Sequence, residues 1–150
     1  MNTVDLAKDI VSLCRKHNYE IGKTKIHKLL YLFLGFSLMN NVIDEQNQFD
    51  ELPKAWPYGP VFENVYEKYD AEILNTPTNH HISVEGNLKT ILEQTVEKWG
   101  KVSGGRLSDW SHEEDGPWYE IIQKNRASWK TEIPLHKIES YFSNVMKNVI

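Results

Sequence analysis

From Ile26 to Leu38 the chain is apolar on nearly every side, with Ile26, Leu29, Leu30, Tyr31, Leu32, Phe33, Leu34 and Phe36 leaving no polar face. A helix without a polar face belongs at the centre of a bundle. The pattern therefore predicts a buried helix starting at Thr24, after the breaker Gly22. Gly35 within it costs about 1 kcal/mol of helix propensity and is expected to admit a close neighbour. Upstream, Leu6, Ile10 and Leu13 recur with Val4, Ala7, Val11 and Cys14 as one side of an amphipathic helix. Asn2 or Thr3 can cap it, and Arg15, Lys16 and His17 complement its negative end.

Beyond a polar, turn-rich segment from Asn40 to Glu51 comes Lys54-Ala55-Trp56-Pro57-Tyr58-Gly59-Pro60-Val61-Phe62. Pro57 fixes one backbone angle and pushes Trp56 toward an extended conformation. In an extended segment Trp56 and Tyr58 share one face, and that face is expected to pack inward through Trp56. Gly59 permits a backbone geometry closed to other residues, and Pro60 suits the first position of a helix. Phe62, Val65, Tyr66 and Tyr69 then recur at helical steps, with Val65 and Tyr66 expected to face the core. Asn75 to His81 reads as loop and Ile82-Ser83-Val84 as a short strand. Asn87 can cap a helix through Trp99, Ser103 a short one through Leu107 and Trp110. Pro117 opens another short helix, and Pro134 a last one carrying Leu135, Ile138, Tyr141, Phe142, Val145 and Met146. The expected fold is mainly α: one compact domain over residues 1–150, with six to seven helices and at most a short β element.

Composition narrows the function classes. A net charge of −4 argues against non-specific affinity for nucleic acid or anionic membrane. Cys14 is alone, which suits a reducing compartment. No apolar run approaches the roughly 20 residues of a membrane span, and the charged N-terminus carries no leader pattern. A cytoplasmic protein is expected.

The chemical signals are sparse. Gly22-Lys23-Thr24 resembles the end of a phosphate-binding loop, but His17 stands where its first glycine belongs. The six histidines form no ligand pattern, and His80-His81 are expected to diverge at the surface, so neither metal nor cofactor is expected. Ser111-His112-Glu113 offers the residue types of a hydrolytic site, yet adjacency in sequence is not triad geometry; capping or hydrogen bonding is the expected role. Arg15, Lys16, His17, Lys23, Lys25, His27 and Lys28 cluster at the first inter-helix turn, and the lysines read as solvated. A recognition helix must offer polar side chains to base edges, which the apolar helix after Lys28 does not, so direct DNA binding is not expected. Trp56, Trp99, Trp110 and Trp118 are expected in the core, one or two of them partly exposed.

Three pieces occur together: Lys25-Ile26-His27-Lys28-Leu29-Leu30-Tyr31; Ala55-Trp56-Pro57-Tyr58-Gly59-Pro60-Val61 with Tyr66; and Leu107 followed by Ser111-His112-Glu113 and Pro117-Trp118. In that order they resemble the Panacea domain family, the SocA-like or phage-associated GepA-like antitoxins, over about Val4 to Phe142. The resemblance implies a helical, non-enzymatic antitoxin of a bacterial or phage toxin–antitoxin pair that binds and neutralises a protein toxin encoded beside it. Trp56, Tyr58, Gly59, Pro60, Val61, Tyr66, Ser111, His112 and Trp118 are its motif or partner-binding residues. Two alternatives stay open: an adaptor delivering the toxin to a protease, and a transcriptional regulator resting on the basic cluster. Family members often carry an added DNA-binding segment, for which this chain has no evident room.

Overall fold

A computed structural model describes residues 1–44 and 47–147. Within the turn-rich Asn40–Glu51 segment, residues 45 and 46 lie outside that description. Helix α1 (Thr3–Lys16) is capped by Asn2, whose Oδ1 accepts from the Asp5 N–H, and it buries Leu6, Ile10, Leu13, Val11 and Cys14. Helix α2 (Lys23–Met39) is buried without interruption from Lys25 to Leu38. It packs against α1, α4 (Gly86–Trp99), α5 (Gly104–Ser111) and α7 (Leu135–Tyr141). Gly35 admits the expected neighbour: the Phe142 ring lies where a Cβ would project. That ring also meets Phe36 edge-on at 5.1 Å and Tyr31 at 5.9 Å.

A three-stranded antiparallel sheet crosses one side, in the order β2-β1-β3: β1 is Lys54–Trp56, β2 is Gly59–Val61 and β3 is Thr131–Glu132. Ala55 pairs with Pro60 on one flank and with Thr131 on the other. Helix α3 (Glu63–Lys68) runs on into a π-helical turn, Tyr69–Ile73. The short α6 (Pro117–Tyr119) and α7 do the same through Glu120–Lys124 and Phe142–Met146. Among the described residues, seven helices and this small sheet make the fold, mainly α as expected. No helix among them is long and apolar enough to cross a membrane.

Four local expectations are corrected. Pro60 lies in β2 and α3 begins at Glu63, three residues later than its proline suggested. Ile82–Val84 forms no strand, because Ser83 donates its N–H (3.0 Å) and hydroxyl to the buried Asp9 carboxylate instead of to a neighbouring strand. Asn87 lies inside α4, which Glu85 caps through its backbone and Gly86 enters at φ +60°. Tyr66 is 43% exposed, whereas Val65 is buried as expected. Of that face, Phe62, Val65 and Tyr69 lie inside.

Candidate functional site

Residues 54–61 form a hairpin whose two-residue loop is Pro57-Tyr58, with Trp56 facing Gly59 across the ladder. Pro57 fixes the entry to the loop, and Gly59 closes it at φ +106°, a region strained for any other residue. Carbonyls at and beside the turn lie beyond the reach of a three-residue ladder; side chains from elsewhere take them. Trp118 Nε1 donates to the Trp56 carbonyl at 2.8 Å, His112 Nε2 to that of Pro57 at 2.8 Å, and Ser108 Oγ to that of Tyr58 at 3.0 Å. From the opposite side, Lys28 Nζ donates to the Pro60 carbonyl at 3.1 Å, and the Phe62 N–H donates to His27 Nδ1 at 3.2 Å. These last two bonds explain why the chain stays extended past Pro60. Proline has no N–H to lose from a ladder, and α2 supplies the partners that a helix would otherwise provide.

Ser111 and His112 belong to this frame. The Ser111 hydroxyl donates to the Ser108 carbonyl at 2.7 Å and stands 3.4 Å from His112 Nδ1. Both His112 nitrogens face carbonyl oxygens, Nδ1 that of Ser108 and Nε2 that of Pro57, while its ring lies 4.1 Å from that of Trp118. A nucleophile needs its proton aimed at a base; here it is aimed at the backbone. The arrangement holds a hairpin in place.

All five hairpin contacts come from the three sequence pieces singled out above or from Ser108 beside them. The model of the antitoxin SocA-like, Panacea domain family matches residues 26–119, more than half of the chain. The chain belongs to that family. No curated protein and no solved structure matches it significantly. The Panacea match encloses the entire frame from His27 to Trp118, and leaves α1, β3 and α7 outside.

On the open side of the Panacea hairpin lies a cavity of about 150 Å³. Helix α2 contributes Lys23, Thr24, His27 and Lys28, the hairpin Trp56, Tyr58 and Val61, and α3 Tyr66. The Trp56 and Tyr66 rings lie 4.8 Å apart, and Lys23 Nζ sits 4.0 Å from the Tyr66 ring centre. Trp56 and Tyr58 part company here: Trp56 is half-buried, but the loop throws Tyr58 outward, leaving it 71% exposed. Of the other tryptophans, Trp118 is buried while Trp99 and Trp110 are half-buried. Trp129, which the periodicity did not single out, is exposed and lies 6.1 Å from the Trp118 ring. Its isolation in a polar stretch, Arg126 to Lys130, was the available signal.

The basic cluster is the largest correction. Lys25, His27 and Lys28 are buried, not solvated, so the cluster presents no continuous cationic face to DNA. Lys25 Nζ reaches the Gly100 carbonyl at 2.7 Å. Burial pulls Lys28 down from 10.5 to about 7, and burial together with the Lys28 and Lys23 charges pulls His27 down from 6.5 to about 3. His80 and His81 do diverge: His80 Nε2 meets Asp9 at 2.7 Å and His81 is exposed.

The Lys28 shift has a measurable consequence. Above about pH 7 the folded chain releases a proton that the unfolded chain keeps up to 10.5, so stability rises with pH. The clean window is pH 7–9, because the buried Cys14 thiol, pushed from 9.0 to about 11, acts in the opposite direction above it. His27 has the same sign lower down, with stability falling as pH drops from 6.5 toward 3. Lys28→Met is expected to flatten the rise between pH 7 and 9 in urea midpoints. A variant with an unchanged slope would remove Lys28 as its source.

Proposed function

We propose that this chain is the antitoxin of a toxin–antitoxin pair and that it neutralises a protein toxin encoded beside it by direct contact, residues 1–150 working as one domain. The contact surface is the hairpin tip, centred on Tyr58 and flanked by Trp56 and Tyr66. One observation carries this reading: Tyr58 is 71% exposed on a hairpin whose backbone is held by His27, Lys28, Ser108, His112 and Trp118. A large aromatic side chain on a pre-ordered backbone binds without a loop-ordering cost, and aromatic anchors of this kind dominate protein interfaces. Tyr66 at 43% exposure and the half-buried Trp56 extend the apolar surface around it. Membership of the antitoxin family supplies the class of partner.

Tyr58→Ala is the test. Its melting curve is expected to stay within about 0.5 kcal/mol of the parent, as for an exposed substitution. Growth rescue against the neighbouring toxin is expected to be lost, with at least a 30-fold weaker complex, the about 2 kcal/mol of a hot spot. Full rescue by a folded Tyr58→Ala protein would remove the hairpin tip from the interface. Toxin abundance in the same cells separates mechanisms: occlusion leaves the toxin level unchanged, delivery to a protease lowers it.

A further inference from the structure

Residues lining the cavity beside the hairpin carry N–H donors that find no acceptor among the described residues. His27 is 3% exposed; its Nδ1 accepts from the Phe62 N–H, which places the ring proton on Nε2 of the neutral imidazole. Among the described residues that buried Nε2 has no partner, nor has the buried Nε1 of Trp56, a residue that lines the same cavity. Lys28 is 1% exposed and gives one of its three N–H groups to the Pro60 carbonyl. No carboxylate among the described residues pairs with it. Lys23 adds a second ammonium at the rim, where its one carboxylate partner among the described residues, Asp70, is 3.9 Å away and exposed. Buried donors without acceptors are costly, and a buried cation without a counter-ion more so.

We infer that this cavity is a receptor for one carboxylate side chain of the protein partner, an aspartate or glutamate inserted between Lys28, His27 and the Trp56 indole. The inference rests on the reading of the hairpin tip as the contact surface and names the chemistry of its centre. A carboxylate is the side chain that fits: it accepts only, with lone pairs for about four donors. The size agrees. A cavity of about 150 Å³ falls short of the roughly 300–1,000 Å³ typical of small-molecule sites, but accommodates one side chain. The walls agree too, because Trp56, Val61 and Tyr66 offer apolar surface to a short methylene stem. An anion seated beside Lys28 would also favour its charged form, offsetting the burial that depresses it.

The test uses the full chain, labelled with ¹⁵N at histidine and lysine, and titrates it with sodium propionate, which reproduces the glutamate side chain. Propionamide, equal in shape and uncharged, is the control. Saturable shifts at the His27 imidazole and Lys28 ammonium are expected, half-maximal at roughly millimolar propionate, the range open to so small a ligand. Propionamide is expected to act at least ten-fold more weakly. No saturable response, or an equal response to propionamide, would overturn the carboxylate receptor. The outcome is separable from the fate of the hairpin-tip reading. Propionate binding alongside full rescue by Tyr58→Ala would support the receptor and remove the tip, whereas lost rescue without propionate binding would do the reverse.

Discussion

Gly59→Ala is expected to destabilise the protein by roughly 3 kcal/mol or more. Two effects add. The residue sits at φ +106°, where a Cβ is strained whatever surrounds it. A Cβ would also stand 2.5 Å from Ser111 Oγ and 2.9 Å from Lys28 Cε, so the buried Ser111 and Lys28 side chains would have to give way or the hairpin lift from α2 and α5. Either adjustment disturbs the Lys28 bond to the Pro60 carbonyl beside the Tyr58 tip, and neutralisation is expected to fail with the fold. Gly105→Ala is the matched control: nothing lies within 4 Å of its Cβ position, and it sits in α5. There alanine is expected to be neutral or stabilising by about 0.5–1 kcal/mol. Urea denaturation of both variants checks the contrast, and a Gly59→Ala midpoint equal to that of Gly105→Ala would contradict it.

Trp118→Ala carries the second large effect, an expected loss of about 3–5 kcal/mol. Trp118 is 5% exposed, packs against His112 and Trp129, and donates the hydrogen bond to the Trp56 carbonyl. Trp118→Phe separates packing from polarity. It keeps most of the apolar volume but leaves that carbonyl without its donor, for an expected loss nearer 1 kcal/mol. If the two variants melted alike, the indole N–H would be the main contribution and the packing account would fail.

How much of this was legible depended on the physics of each segment. Helix α2 was plain because a run with no polar face has one stable location, and Gly35 was read correctly because a glycine in such a helix costs stability unless something approaches it. Asn2 and Ser103 cap as expected through local geometry. The burial of Lys25, His27 and Lys28 was not legible, since lysines after a glycine usually face water. They are inside because α2 is surrounded on all sides and their tips reach the Gly100 and Pro60 carbonyls and the Phe62 amide. Strand β3, two residues long, is too short for a two-residue period to mark. Pro60 misled because the same residue type serves a helix start and an edge strand equally well, and only the partners from α2 decide between them. For the site, the motif residues were named without their arrangement: Gly59, Pro60, Ser111, His112 and Trp118 build the support, and Tyr58 is what the support presents.

The most direct measurement places a photo-crosslinking benzoylphenylalanine at Tyr58 and, separately, at Lys89 on the exposed side of α4, in cells expressing the neighbouring toxin. Crosslinking of the toxin from position 58 and none from position 89 is the predicted result. Crosslinking from position 89 alone would contradict the hairpin tip as the surface of contact.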